Sequence, residues 1–237
     1  MRKQFVLALV FALGLAAAAS ADTEDGGTFG PAAKNYVRYD APAIAIRHVR
    51  VIHGTGALTR ENQTVLIDSG KIAAVDSDGK VPVPSRATVI DGSGRTLMPG
   101  LVGMHDHLFY FVGDNPPVGH AMYVSFPRLY LAGGVTTIRT TGSMEPYADL
   151  NLKRAIDEGR LPGPNIDVSG PYISGPGSRL YHVIPRTPQE VTQAVNYYAD
   201  VGVTSFKAYA FVTKTSLAAL ITAAHKRGIK VAVISVR

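Results

Sequence analysis

The sequence predicts an α/β protein in which a small antiparallel β unit precedes a series of parallel strands joined by helices. Two observations indicate this division. Between residues 43 and 97, short β-rich segments are separated by turns, and one of the turns is the hairpin signal Asp68-Ser69-Gly70. After Leu97, apolar strand segments alternate with segments of helical periodicity. Strands separated by helices pair in parallel, so the second part is expected to form a parallel sheet.

The sequence of the second part predicts five strands and four helices. The strands are expected at about 101–104, 134–139, 165–169, 203–209 and 229–234, and the helices at about 120–132, 149–159, 187–200 and from 217 to a stop at Gly228. Thr187 is expected to cap its helix because Pro188 and Glu190 follow it. The domain limits are then residues 22–42 for a linker, 43–97 for the β unit and 98–237 for the strand–helix series.

The first 21 residues have the pattern of a secretory signal peptide. Arg2 and Lys3 precede an apolar stretch over residues 5–19, and Ala19-Ser20-Ala21 has the small-x-small spacing of a cleavage site. The apolar stretch is shorter than the roughly 20 residues that a membrane-spanning helix needs. We therefore expect signal removal without stable membrane insertion, and a periplasmic or secreted protein.

The composition excludes several functions. The net charge of +6 falls to +4 without the two basic residues of the signal segment, and no run of Lys and Arg is dense enough to bind nucleic acid. The absence of cysteine excludes disulfides, thiolate metal ligands and lipid attachment to an N-terminal Cys. Because 46% of the residues are apolar, the chain can bury a core.

Two histidines follow the first strand of the strand–helix series. Alternate residues of a strand point the same way, so His105 and His107 can direct two imidazoles at one metal ion. Neutral imidazole suits zinc and similar ions. A bound divalent cation lowers the pKa of coordinated water from about 15.7 to about 7, which supplies a nucleophile at neutral pH. The remaining histidines are interpreted as surface or packing residues, except one in a loop; they are His48, His53, His120 and His225.

Three motifs in chain order resemble the amidohydrolase superfamily. They are Val65-Leu66-Ile67-Asp68-Ser69-Gly70-Lys71-Ile72, Met98-Pro99-Gly100-Leu101-Val102-Gly103-Met104-His105-Asp106-His107 and Gly134-Val135-Thr136-Thr137-Ile138-Arg139. The resemblance covers roughly residues 43–233 and is closest to the imidazolonepropionase-like and Xaa-Pro dipeptidase-like branch. It implies a small β-sandwich unit followed by the N-terminal part of a (β/α)8 TIM-type barrel. It also implies hydrolysis of carbon–nitrogen bonds in small-molecule amides or dipeptides, with one or two divalent metal ions, zinc above all.

The resemblance also implies roles for individual residues. His105 and His107 correspond to the paired metal ligands after the first barrel strand, and Lys207 corresponds to the lysine that becomes a carbamate bridging two metals. A lysine whose amine lies in water at a strand end is the ordinary alternative for Lys207. His182, in the Gly-rich loop after the third strand, and Tyr209 are candidates for substrate binding, with a plain flexible loop and a core or rim aromatic as their alternatives. No catalytic residue is assigned.

The chain also departs from the family pattern. Gly103 stands where the family commonly carries Asp, and Ile234 stands where a histidine ligand closes the fifth strand. The 141 residues from Leu97 to Arg237 are fewer than the roughly 250 of a complete barrel. The expectation is therefore a C-terminally truncated amidohydrolase. A non-catalytic remnant, a metal-free binding module and a homo-oligomer that covers the open sheet edges are the alternatives.

Overall fold

The computed structural model describes residues 29–113, 118–178 and 183–234. The predicted signal peptide and His182 lie outside these residues. The described part of the predicted linker contains a short helix, α1 (Pro31–Lys34), and the amide of Gly30 donates a hydrogen bond to the carbonyl of Gly159 at 3.0 Å. The linker prediction missed this helix and its contact. Within the described ranges, none of the helices has the length and apolar character needed to cross a membrane.

A five-stranded sheet forms the first unit. Its strands are β1 (Ala43–Val51), β2 (Arg60–Asp68), β3 (Lys71–Ser77), β4 (Thr88–Asp91) and β5 (Thr96–Leu97). The order is β3-β2-β1-β4, with β5 also paired to β1. The predicted antiparallel pairing is found for β1, β2 and β3, but β4 and β5 run parallel to β1. They do so because the chain crosses from β3 to the far side of β1 before it forms β4, so the sheet is mixed.

The second unit contains eight strands and four helices in the described residues. They are β6 (Leu101–Asp106), β7 (Phe109–Val112), β8 (Val118–Ala121), α2 (Ser125–Ala132), β9 (Val135–Thr140), α3 (Pro146–Asp157), β10 (Asn165–Asp167), β11 (Ser169–Ile173), α4 (Pro188–Val201), β12 (Ser205–Ala208), α5 (Lys214–Lys226) and β13 (Lys230–Val233). Strands β6, β9 and β10 pair in parallel, as do β11, β12 and β13. Only Val168 separates β10 from β11, so these two strands connect the two parallel sheets. The parallel strands therefore lie side by side in the order in which they occur in the chain. This is the arrangement of the N-terminal part of a (β/α)8 barrel.

The helices cover one side of the parallel strands. Val191 and Val195 of α4 and Leu220 of α5 are fully buried against Phe206 of β12. Thr187 caps α4 as predicted, because its side chain accepts a hydrogen bond from the amide of Glu190 at 3.2 Å. This packing holds the carboxyl end of β12 in place.

A hairpin of β7 and β8 was not anticipated. The prediction of a helix from about residue 120 is wrong at its start, because residues 118–121 form β8 and α2 begins at Ser125. The run Phe109-Tyr110-Phe111-Val112 has the aromatic and β-branched composition of a strand, and it pairs with β8 in antiparallel register. The hairpin places aromatic side chains beside the carboxyl end of β6.

Candidate metal centre

A cavity of about 540 Å³ lies at the carboxyl ends of the parallel strands. It is lined by His105, His107, Phe109, Tyr110, Phe111, Met144, Tyr172, Lys207, Tyr209 and Ile234. Four of these residues were singled out from the sequence as candidate site residues: His105, His107, Lys207 and Tyr209. The cavity therefore brings together side chains from the end of β6, from the end of β12 and from Ile234, which follows β13.

A bulge in β6 sets the positions of the two histidines. Three residue steps from Gly103 to Asp106 lie opposite two steps from Ile138 to Thr140 in β9. The rings of His105 and His107 lie with their centroids 5.4 Å apart and their planes at 83°. Both imidazoles thus border the same cavity.

His107 has the surroundings of a neutral imidazole. It is half-buried, and its Nδ1 lies 3.3 Å from the hydroxyl of Tyr172. Burial lowers the pKa of His107, and the positive charges of Lys207 and His105 lower it further. A neutral imidazole keeps a lone pair free for a metal ion.

Lys207 is buried at the carboxyl end of β12, with 2% of its surface exposed. Its amine donates a hydrogen bond to the carbonyl of Thr141 at 3.0 Å and lies 3.3 Å from Nε2 of His105. The same amine lies 5.2 Å from the ring centre of Tyr172 and 5.5 Å from that of Tyr209. Among the residues that the structure describes, no ion pair joins it to a carboxylate. Burial lowers the pKa of Lys207 accordingly.

Tyr209 and Tyr172 form one wall of the cavity. Their ring centroids are 5.1 Å apart in an edge-on arrangement. Tyr172 was not found from the sequence, because the predicted third strand ended at Ser169 whereas β11 continues to Ile173. The strand-favouring pair Tyr172-Ile173, which follows Gly170 and Pro171, is the signal that could have found it.

The aromatic hairpin forms the opposite wall. Phe109 packs on His107 with ring centroids 4.9 Å apart, and Phe111 packs on Phe109 at 5.4 Å. These residues were also not found from the sequence, which predicts no element between the strand at 101–104 and the helix from about 120. Ile234 lines the cavity as well, and its amide donates to the carbonyl of Ala208 at 3.3 Å.

The chemical types of the side chains at the site are those that bind a divalent metal ion. Two imidazoles and a buried amine converge, and neutral imidazole together with a carbamate oxygen is a suitable set for zinc. Within the described ranges, however, no group of three or more His, Cys, Asp or Glu side chains is placed to hold a metal. The site therefore offers His105 and His107 as ligands outright, and Lys207 only after its amine has been converted to an anionic group.

A buried carboxyl group lies in a smaller cavity of about 320 Å³, which shares Phe109 and Met144 with the main one. Asp149 of α3 is 4% exposed and accepts a hydrogen bond from the hydroxyl of Ser143 at 2.6 Å. Burial raises the pKa of Asp149 to about 6. Burial also raises the pKa of Tyr123, and the nearby charge of Asp149 raises it further.

The fold and the site define the chain as the N-terminal part of a (β/α)8 barrel with a candidate metal centre at the carboxyl ends of its strands. Comparison with known proteins extends this description. The chain belongs to the Amidohydrolase family, whose sequence pattern matches residues 96–233.

Individual relatives agree with this assignment. The chain is 33% identical over 100 residues to an imidazolonepropionase of Streptomyces avermitilis, a match that covers 41% of this chain and 23% of the relative. It is 41% identical over 108 residues to a dihydroorotase of Mycobacterium tuberculosis, covering 45% of this chain and 22% of the relative. The crystal structure of a prolidase-like protein from Bifidobacterium longum is similar with a TM-score of 0.69 and 26% identity, over 81% of this chain and 49% of that one. The matches thus span about half of the solved structure and less than a quarter of the two curated relatives.

Proposed function

We propose that this protein takes part in metal-dependent hydrolysis of carbon–nitrogen bonds in small-molecule amides or dipeptides. The observation that carries the proposal is the position of the Lys207 amine, buried and 3.3 Å from Nε2 of His105, in a cavity that His107 also lines. The names of the relatives support the reaction class, because imidazolonepropionase, dihydroorotase and prolidase all denote hydrolases of such bonds.

His105 and His107 would hold a divalent ion, with zinc as the first choice for two neutral imidazoles. When bound, such an ion supplies a more acidic water and polarises a carbonyl group. The half-buried position of His107 beside the hydroxyl of Tyr172 fixes its ring orientation.

Lys207 would enter the site as a carbamate. The ammonium would first lose a proton. The neutral amine would then attack carbon dioxide, so that a nitrogen–carbon bond forms as one carbon–oxygen π bond breaks, and a second proton leaves. The two steps together convert a cation into an anion with oxygen ligands. Burying an uncompensated ammonium is costly. Among the described residues the amine has only a carbonyl and an imidazole within hydrogen-bond distance, so carboxylation would remove an unfavourable buried charge.

The walls of the cavity favour a small substrate with an apolar part. Its volume lies in the usual range for small-molecule sites. Phe109, Phe111 and Met144 offer an apolar surface, while the hydroxyl of Tyr209 is proposed to donate a hydrogen bond to the substrate. His182, which follows β11 in the sequence and lies outside the described residues, is proposed as a second substrate-binding residue.

A second candidate is a chain that binds metal weakly and does not catalyse. The specific observation in its favour is Ile234, which lines the cavity at the end of β13 and cannot coordinate a metal. Two imidazoles alone hold zinc less firmly than the three or four protein ligands of ordinary zinc sites.

The two candidates are distinguished by loading the purified protein with zinc or manganese in the presence of bicarbonate. Metal content by mass spectrometry and turnover of Xaa-Pro dipeptides and cyclic amides are then measured. Stoichiometric metal with turnover is the expected result, and weak metal binding without turnover supports the second candidate. A protein that takes up no metal under any of these conditions contradicts the proposal. The double variant His105→Ala/His107→Ala is the control for metal bound elsewhere.

We further propose that the protein is exported to the periplasm or the exterior. The two basic residues, the apolar stretch and the Ala19-Ser20-Ala21 pattern support this. Expression of the whole chain in a Gram-negative bacterium, with mass spectrometry of the N-terminus, is expected to show cleavage after Ala21. Ala19→Arg should block that cleavage, and an intact N-terminus in the unaltered chain would contradict export by this route.

A further inference from the structure

Gly103 and Asp106 compete for one space. A Cβ atom added to Gly103 would lie 1.7 Å from Oδ2 and 2.7 Å from Cγ of Asp106. Contacts this short are impossible for real atoms, so the carboxylate of Asp106 occupies the volume that any side chain at position 103 would need. Position 103 is also where the chain departs from the family pattern.

The bulge of β6 makes this overlap geometrically feasible. The extra residue between Gly103 and Asp106 turns the Asp106 side chain back over the glycine. The carbonyl of Asp106 accepts a hydrogen bond from the amide of Thr141 at 3.1 Å, and the carbonyl of Thr141 accepts one from Lys207. The backbone of Asp106 is therefore connected to Lys207 by two hydrogen bonds, both made by the backbone of Thr141.

The side chain of Asp106 also borders the backbone of His107. The hydroxyl of Tyr130 donates to the carbonyl of His107 at 3.1 Å. Burial raises the pKa of Tyr130 to about 12, and the negative charge of Asp106 contributes to this shift. Asp106 and His107 thus share a neighbour that can hold the end of β6 in one conformation.

One oxygen of the half-buried Asp106 carboxylate is costly for the fold. Its Oδ2 is buried and accepts no hydrogen bond of ordinary length among the described residues, and the nearby hydroxyl of Tyr130 donates to the carbonyl of His107 instead. A buried acceptor without a partner destabilises a protein, and in a native structure it calls for an explanation other than stability. A role in placing the flanking histidines provides that explanation.

We infer that Asp106 is a positioning residue, whose carboxylate, seated over Gly103, fixes the bulge that directs His105 and His107 toward Lys207. The inference rests on the proposed function, since it assigns Asp106 to the proposed zinc site. Gly103 is the counterpart, because a side chain at position 103 would displace the carboxylate from this position.

The test uses four variants and three measurements. The variants are Asp106→Ala, Gly103→Ala, Gly103→Ala/Asp106→Ala and Gly103→Asp/Asp106→Ala. Asp76→Ala is the control, because Asp76 is an exposed aspartate of β3 and its removal changes the charge equally. Zinc affinity is measured by calorimetry, and the ¹⁵N resonances of the His105 and His107 rings are recorded in metal-free protein together with the melting temperature.

Asp106→Ala is expected to weaken zinc binding by about 10- to 100-fold, to shift both ring resonances and to leave the melting temperature unchanged or raised. Gly103→Ala should weaken zinc binding similarly and change the melting temperature little, because its methyl group displaces the flexible carboxylate. The double alanine variant should bind zinc no more tightly than Asp106→Ala. Gly103→Asp/Asp106→Ala, which returns a carboxylate next to the vacated space, should regain part of the zinc affinity.

Zinc affinity within threefold of the unaltered protein in Asp106→Ala would overturn the inference, as would a Gly103→Ala protein that binds zinc normally. A lowered melting temperature in Asp106→Ala with unshifted ring resonances would also overturn it, because that pair of results describes a merely structural residue. If the unaltered protein binds no zinc, the proposed function fails, and the ring resonances then decide the positioning role separately.

Discussion

The amine of Lys207 lies 3.3 Å from Nε2 of His105, although 102 positions separate the two residues in the chain. Two basic groups at this distance repel each other when both are charged. Since no carboxylate of the described residues pairs with this lysine and burial lowers its pKa, the neutral amine of Lys207 is favoured. The contact therefore connects the first and fourth barrel strands. When neutral, its nitrogen atoms could bind a cation, and the amine could be carboxylated.

Removal of either imidazole should abolish stoichiometric zinc binding. His105→Ala and His107→Ala each leave one histidine at the cavity, and a single imidazole does not retain zinc at micromolar concentrations. Calorimetric titration with zinc measures the effect. His225→Ala is the control, since His225 is exposed on α5 and far from the cavity in the fold. Equal zinc affinity in all three variants would show that the metal binds elsewhere.

Lys207→Met should leave the protein folded and make it equally stable or more stable by up to about 2 kcal/mol. Methionine keeps the apolar stem between Tyr172 and Tyr209 but removes a buried charge that lacks a carboxylate partner. Chemical denaturation measures the stability, and zinc uptake with and without bicarbonate measures the role of the amine.

The increase of zinc uptake that bicarbonate produces in the unaltered protein should disappear in Lys207→Met. Lys230→Met, at an exposed lysine of β13, should keep it. A bicarbonate effect that survives in Lys207→Met would exclude Lys207 as the carboxylated group.

The sequence predicted the parallel strands well because each has an apolar run between turn signals. It also predicted that His105 and His107 lie on the same side of the chain, because residues two positions apart in an extended segment point the same way. The bulge in β6 was not predicted. It arises from pairing with β9, and no residue type in the segment encodes it by itself.

The walls of the cavity were harder to predict. Tyr172 reaches His107 only because β11 continues past Ser169 beside β12, and the hairpin forms only because Phe109–Val112 finds a partner in β8. Such contacts depend on tertiary pairing, which overrides local propensity. The contact between Lys207 and His105 was inferred from the family resemblance, and only the structure gives its distance.

Asp149 should make the protein less stable as the pH rises from about 4 to about 6. Its pKa is raised to about 6 in the fold from an ordinary value of 3.8, so the folded state binds the proton more tightly than the unfolded state. Stability from this group is therefore present at low pH and is lost as pH rises through that window. The loss is at most about 3 kcal/mol. Glu145, Tyr123 and Tyr172 are titratable groups that interact electrostatically with this carboxyl group.

Asp149→Asn should remove this part of the pH dependence and raise stability at pH 7 to 8. Asparagine retains an oxygen that can accept the hydrogen bond from Ser143. Urea unfolding at several pH values measures the effect, and Asp157→Asn near the end of the same helix is the control. An unchanged pH dependence in Asp149→Asn would show that Asp149 titrates normally in the folded protein.

Ile234→His should strengthen zinc binding by at least about tenfold. Ile234 lines the cavity that His105 and His107 also line, so a histidine there adds a third imidazole to the pair. Zinc sites with three protein ligands are common in hydrolases, whereas sites with two are weak. Val233→His is the matched control, because Val233 is the preceding residue, is 54% exposed and does not line the cavity. Zinc titration of both variants decides the point. Equal affinities would mean that the end of β13 does not face the metal site, and the geometry proposed for His105 and His107 would then be wrong.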